Sequence, residues 1–289
     1  MITARSVSEV RSEIRAARAA GSTIGFVPTM GFLHEGHLAL IDAARHAGAS
    51  YIAVSIFVNP TQFGPKEDFS RYPRDEEGDS KKLISRDVDL VFIPTVSEMF
   101  GGDRNVEVKV AGVARPLEGE RRPGHFDGVA TVVTQLFNIV RPDLAVFGQK
   151  DAQQCAVVRQ LIKQLAIPVQ LVIAPTSRES DGLAMSSRNV YLSKEQRELA
   201  PMLQRALRVG RDELLRGGSA PTVEERMREE LGKMHGIEID YLALVDASTF
   251  ETPLSLDRDL VLVGAIRIGQ TRLIDNIPVM RHEMPCRSM

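Results

Sequence analysis

The chain has 289 residues, 43% hydrophobic and 26% charged, with a formal net charge of -2. That is enough apolar material for one large domain or two unequal ones, and the balanced charge supplies no bulk basic field for nucleic acid or an anionic membrane. Two cysteines, Cys155 and Cys286, with no C-x-x-C pair speak against a thiolate zinc site and fit reduced thiols in a reducing compartment.

The elements follow in chain order. Ser6 to Ala20 carries Val7, Val10, Ile14 and Ala17 at helical spacing, with Ser6 and Glu9 as a capping box and Gly21 as a stop. It alternates charge with small residues and lacks the apolar stretch of a signal peptide. Thr23 to Pro28 reads as a buried strand, Gly36 to Gly48 as a helix and Ser50 to Val58 as a second strand. The run Tyr51 to Val58 is far shorter than the roughly 20 residues that cross a bilayer, so a cytoplasmic protein is expected. Asp75 to Arg86 reads as a polar helix, Asp89 to Ile93 as a strand and Val106 to Val110 as a short extra strand. Val129 to Val140 and Ala152 to Ala166 read as helices around a strand at Leu144 to Phe147, and Val169 to Ile173 closes the series as a strand. Short apolar strands alternating with amphipathic helices predict a Rossmann-like, doubly wound α/β domain with a parallel sheet.

The pattern changes after about residue 176. Ser193 to Leu215 shows one continuous helical stripe, Gly217 to Pro221 a loop, and Glu224 to Met234 a helix. Ile239 to Val245, Leu260 to Ile268 and Thr271 to Val279 read as strands, the last two joined by a hairpin at Gly269-Gln270. Residues 1–176 are therefore expected to form the Rossmann-like domain and residues 177–289 a smaller C-terminal α+β domain, with a poorly ordered tail from Arg281.

In such folds ligands bind beyond the carboxyl ends of the strands, and four polar segments leave strand ends or the domain junction. The first is Pro28-Thr-Met-Gly-Phe-Leu-His-Glu-Gly-His37. Gly31 and Gly36 allow a sharp turn. His34 and His37, three apart, share one face of a first helical turn, where free N–H groups and imidazoles can meet an anion. Two surface histidines on an ordinary turn, or a zinc pair lacking a neighbouring third ligand, are the rival readings. The second is Ser55 to Gly64 with Tyr72-Pro-Arg74, in which Asn59 and Gln62 suit a hydroxyl- and carboxylate-bearing small molecule. The third is Val146 to Gln154, where Lys150 can neutralise phosphate and Asp151 can accept from ribose hydroxyls or cap a helix. The fourth is Asp181-Gly-Leu-Ala-Met-Ser-Ser-Arg-Asn189, hydroxyls beside an arginine that form a phosphate clamp. Its rivals are an interdomain linker and a serine nucleophile without the usual elbow.

The first segment resembles the H-x-G-H signature of nucleotidylyltransferases and class I aminoacyl-tRNA synthetases. All four segments together, with Gly124-His-Phe126 and Thr271-Arg-Leu-Ile-Asp-Asn276, resemble the pantothenate synthetase family over roughly residues 24 to 279. The resemblance implies an ATP-dependent ligase that joins pantoate and β-alanine through a pantoyl-adenylate. It implies His37 and His34, with Lys150 and Arg188, as catalytic residues. Nucleotide binding would fall to Met30, Gly31, Phe32, Leu33, His34, Glu35, Gly36, His37, Gly148, Gln149, Lys150, Asp151, Ser177, Met185, Ser186, Ser187 and Arg188. Gln62, Gln154, Asn59 and Tyr72 would bind substrate. It further implies Mg²⁺ carried by phosphate oxygens with its protein ligands unknown, a lid role for the C-terminal domain, and a homodimer.

Acidic residues frequent in that family near positions 78 and 79 are here Gly78 and Asp79, Gln149 stands where Glu is frequent, and Ser177 stands where an apolar residue is common. A nucleotide-sensing binding module, a different nucleotidylyltransferase and an aminoacyl-tRNA synthetase relative are the competing functions, the last disfavoured by the balanced charge and the lack of a recognisable tRNA-binding appendage. A Rossmann dehydrogenase is disfavoured because no G-x-G-x-x-G follows the first strand.

Overall fold

The structure is a computed structural model that describes residues 1–65, 67–102 and 105–284. The elements of the first half are β1 (Ile2–Ala4), α1 (Val7–Ala19), β2 (Ile24–Thr29), α2 (Glu35–His46), β3 (Tyr51–Ile56), α3 (Glu76–Ile84), β4 (Leu90–Phe92), α4 (Val96–Phe100), α5 (Glu118–Arg121), α6 (His125–Val140), β5 (Leu144–Gly148), α7 (Ala152–Gln164) and β6 (Gln170–Ala174). Those of the second half are α8 (Lys194–Leu199), α9 (Met202–Leu215), α10 (Ala220–Gly232), β7 (Ile237–Asp246), β8 (Leu260–Ile268) and β9 (Thr271–Val279). The chain divides into two compact units, one of Met1–Gln149 with Val157–Pro175, the other of Lys150–Ala156 with the chain from Thr176.

The first unit holds a six-stranded sheet in the order β1-β4-β3-β2-β5-β6, and every neighbouring pair in it is parallel. Strands β2, β3 and β5 are almost continuously buried, as a sheet covered on both faces requires. α2 and Leu83 of α3 close one apolar cluster over Val27, Ile52, Val54, Val91 and Val146. The chain winds outward from β2 through β3 to β4, then resumes at β5 on the other side of β2. The carboxyl ends of β2 and β5 therefore flank the topological switch point of a doubly wound fold.

The capping box at Ser6 and Glu9 forms as expected. β1 is absent from the expected elements, because three residues carry no period; it pairs with β4 from Ile2↔Leu90 to Ala4↔Phe92. The expected strand at Val106 to Val110 does not form. Two of its N–H groups are taken by side chains of α6: Val108 donates to Thr131 Oγ1 (2.9 Å) and Val110 to Asp127 Oδ1 (3.0 Å).

The second unit holds the antiparallel sheet β7-β8-β9. Leu203, Leu207 and Leu214 of α9 and Val223, Met227 and Leu231 of α10 pack with Leu242, Leu262 and Ile266 of the strands. The single stripe expected over Ser193 to Leu215 is two helices. It breaks at Ala200-Pro201, where proline has no N–H to continue the ladder. α10 begins at Ala220 rather than Glu224, because Ser219 caps it and Pro221 is tolerated in a first turn. Arg281–Glu283 forms a 3-10 turn with an ion pair between Arg211 and Glu283 (2.7 Å), and residues 285–289 of the expected poorly ordered tail lie outside the described residues. Cys286 lies outside the described residues. Among the described residues no helix is long and apolar enough to cross a membrane.

Candidate active site

The turn after β2 is built from its own backbone demands. Thr29 Oγ1 donates to the Ser55 carbonyl on β3 (2.7 Å) and accepts from Gly31 N–H (3.2 Å). Gly31 has φ +82°, and a Cβ there would lie 2.8 Å from Ile56 Cγ2 and 3.1 Å from Asp79 Oδ2. Phe32 also has a positive φ (+49°), uncommon without a glycine. This conformation is held by Asp79 of α3: Phe32 N–H donates to Oδ2 (2.7 Å) and Leu33 N–H to Oδ1 (2.6 Å). Asp79 is 1% exposed, and Leu33 is sunk in the core beside it. Lys82 Nζ donates to the Leu33 carbonyl (2.7 Å) and stands 4.0 Å from Asp79. Burial pushes the Asp79 carboxyl above its ordinary value, against the two N–H bonds that favour its ionised form. In the sequence Asp79 stands out only as half of an incomplete acidic pair. The signal that could have found it is its spacing: it lies one turn before buried Leu83 and so faces the core.

The same turn leads into α2, with His34 as its N-cap. His34 Nδ1 accepts from Gly36 N–H (3.1 Å), and His37 Nδ1 accepts from His34 N–H (3.3 Å). The His37 N–H donates to the His34 carbonyl (2.8 Å). A ring nitrogen that accepts carries no proton, so each imidazole bears its proton on Nε2. The rings sit with centroids 4.0 Å apart, and both residues are half-buried. The N–H groups of Phe32, Leu33, His34, Gly36 and His37 are engaged within the protein. Imidazole N–H groups are thus among the donors this turn can offer an anion.

Beyond β3, Asn59 is buried (1% exposed) and organises the turn over Pro60–Gln62. Its Nδ2 donates to Gln62 Oε1 (3.1 Å) and to the Gly128 carbonyl of α6 (3.1 Å), while Gln62 Nε2 lies 3.1 Å from Met30 Sδ. Asn59 is thus an internal brace, and Gln62, half-buried, is the amide it orients. Gly128 makes the close approach possible, since a Cβ there would fall 2.4 Å from the Thr61 carbonyl oxygen. Tyr72 is buried, edge-on to Phe63 with centroids 5.9 Å apart.

The Gln62 carbonyl accepts from His125 Nδ1 (2.8 Å) and Arg122 Nη2 (3.3 Å), and Arg122 pairs with Glu67 through Nε (2.7 Å) and Nη2 (2.8 Å). Burial works against the charge on Glu67, but Arg122 holds its carboxyl below the ordinary range. Burial, aided by the Arg122 charge, pushes His125 down to about 4. The sign follows directly: below about 6.5 the unfolded chain gains a proton that folded His125 refuses until about pH 4, so stability falls across that window. Its limit is on the order of 3 kcal/mol. Urea titrations at pH 7.5 and 4.5 are expected to show a smaller acid loss in His125→Gln than in the parent chain. Equal losses would refute the assignment.

Lys150, the first residue of the second unit, is the middle residue of the turn over Gln149–Asp151, and its Nζ lies 3.2 Å from Asp151 Oδ1. Asp151 and Gln154 are half-buried, as are Gly148 and Gln149 at the end of β5 in the first unit. The segment from Ser177 to Met185 doubles back on itself: Arg178 bridges to Ala184, and Met185 N–H donates to the Ser177 carbonyl (2.9 Å). Arg197 braces it through Glu179 and Asp181 (2.6 Å each). It is a small hairpin, not a slack linker. It delivers Ser186, whose Oγ accepts from Arg188 N–H (3.3 Å), and Ser187, which is buried. Among the described residues no three His, Cys, Asp or Glu side chains converge to cage a metal.

The sheet order and the polar turns after β2, β3 and β5 define a doubly wound α/β protein with candidate ligand groups beyond its strand ends. The family model described as pantoate-beta-alanine ligase matches residues 2–278. The pantothenate synthetase of Herpetosiphon aurantiacus is 52% identical over 267 residues, 92% of this chain and 96% of that protein. The crystal structure of pantothenate synthetase from Thermus thermophilus superposes with TM-score 0.92 at 44% identity, covering 99% of this chain and 100% of that one. A pantoate-beta-alanine ligase from Francisella tularensis, complexed with beta-gamma ATP and beta-alanine, gives TM-score 0.78 at 32% identity over 98% of each chain. The chain belongs to the pantoate-beta-alanine ligase family.

Proposed function

We propose that the chain condenses pantoate with β-alanine at the expense of ATP through a pantoyl-adenylate. The pantoate carboxylate attacks the α-phosphate and pyrophosphate leaves; the amine of β-alanine then attacks the acyl carbon and AMP leaves. Family membership supports the substrates, and the ligands of the Francisella structure support ATP as the nucleotide. Gln62 and Gln154 hold pantoate. Lys150, Ser186, Ser187 and Arg188 meet phosphate oxygens. Met30 to His37, Gly148, Gln149, Asp151, Ser177 and Met185 bind the rest of the nucleotide, while Asn59 and Tyr72 complete the substrate-binding set.

The observation that carries the mechanistic reading is the pair of Nδ1 acceptors at His34 and His37. A carboxylic acid of pKa about 4 is already ionised near neutral pH and needs no base. Two fixed Nε2–H donors suit the charge that grows on the transferring phosphoryl group. Mg²⁺ would be carried largely by the triphosphate oxygens rather than by a protein cage. The short apolar runs support a cytoplasmic location, and the family resemblance supports a homodimer and a lid role for the C-terminal domain.

The test is exchange of labelled pyrophosphate into ATP. Exchange that requires pantoate and proceeds without β-alanine supports the ligase. Tight ATP binding with no exchange for any acid would replace it with a nucleotide sensor.

A further inference from the structure

Strand β9 breaks the rule of its own geometry. Successive side chains in a strand point to opposite faces, and from Thr271 to Asp275 buried and half-buried residues alternate accordingly. Asp275 and Asn276 then follow as two adjacent buried polar residues, at 5% and 3% exposure. Burying polar groups is unfavourable unless each is bonded, and the bonds these two make lead to different places. Asp275 accepts from Arg178 through both oxygens (2.6 and 2.9 Å), and Arg178 Nη1 also donates to the Gly182 carbonyl (3.0 Å). That fastens the hairpin that ends in Ser186, Ser187 and Arg188. Asn276 Nδ2 reaches the backbone carbonyl of Lys150 (2.9 Å), 126 residues away in sequence. Asn276 is also tied back to its partners: its N–H donates to Asp275 Oδ1 (2.7 Å), and its carbonyl accepts from Arg178 Nη2 (3.3 Å).

We infer that Asn276, seated by Asp275, is a positioning residue that fixes the Lys150 backbone in register with the Ser186–Arg188 segment, so that the phosphate-binding groups of the second unit act as one rigid set. The inference deepens the proposed function and rests on its assignment of Lys150 to ATP phosphate. Asn276 touches no substrate; it acts through the placement of Lys150.

A double-mutant cycle tests this. In pantoate-dependent pyrophosphate exchange, Asn276→Ala is expected to raise the KM for ATP about tenfold, the scale of one lost hydrogen bond. The KM for pantoate should stay within about twofold. The double variant Asn276→Ala/Lys150→Ala should be no worse than Lys150→Ala alone, because the amide has nothing left to position. Asn276→Asp keeps the shape and loses the donor, and it should show the same ATP-selective loss if the alanine variant melts too low to assay. Multiplying losses in the double variant, or equal rises in both KM values, would overturn the inference while leaving Lys150 in its role. A Lys150→Ala enzyme with the parental KM for ATP would overturn the reading beneath it, and the inference with it.

Discussion

Replacing His37 with alanine is expected to slow pantoyl-adenylate formation by roughly 10²–10³, about 3–4 kcal/mol, the scale of one lost preorganised donor to transition-state charge. The attack of β-alanine on supplied pantoyl-adenylate should change far less, because no pyrophosphate leaves in that step. The reasoning starts from the tautomer. His37 Nδ1 accepts from the backbone of its own turn (3.3 Å), so its proton lies on Nε2. A glutamine at 37 keeps an N–H donor and should recover part of the rate, whereas a proton shuttle would gain nothing from an amide. Single-turnover measurement of each half-reaction decides the matter: equal losses in both would rule out a role in charge stabilisation.

Asp79→Ala is expected to cost about 2–5 kcal/mol of folding stability and most of the exchange activity. The carboxylate is 1% exposed and accepts from both Phe32 and Leu33. Its removal takes the carboxylate acceptor away from two backbone N–H groups, each loss costing about 1–3 kcal/mol. It also leaves Lys82, 4.0 Å away, without its counter-charge. The positive φ of Phe32 (+49°) then loses the carboxylate that braces it, and His34 follows two residues later. Asp79→Asn should fall between the two, since an amide oxygen satisfies one N–H while its NH₂ group opposes the other. Urea melts and pyrophosphate exchange should report the same rank order. An alanine variant with parental stability and activity would show that the turn holds itself.

Much of the site was legible in the sequence for local reasons. Gly-Phe-Leu-His just after a strand announces a turn by its glycine and its change of period, and the i, i+3 spacing of His34 and His37 puts them on one turn wherever the helix goes. Pro201 carried an equally local signal that the apolar stripe masked. The expected strand at Val106 to Val110 failed for a different reason. Its composition suited a ladder, but the partners for two of its N–H groups are Thr131 and Asp127 on a helix, and no periodicity encodes that competition.

The sequence alone determined the alternation of apolar strands and amphipathic helices, the order of the polar turns and the residues those turns carry, because period, capping and turn chemistry act within a few positions. The tertiary structure decided which distant groups hold those turns in shape: Asp79 under Phe32 and Leu33, Arg122 and His125 under Gln62, Asn276 against Lys150. The physical reason is the same in each case. A buried polar group must find a partner, and the fold, not sequence proximity, brings that partner within reach.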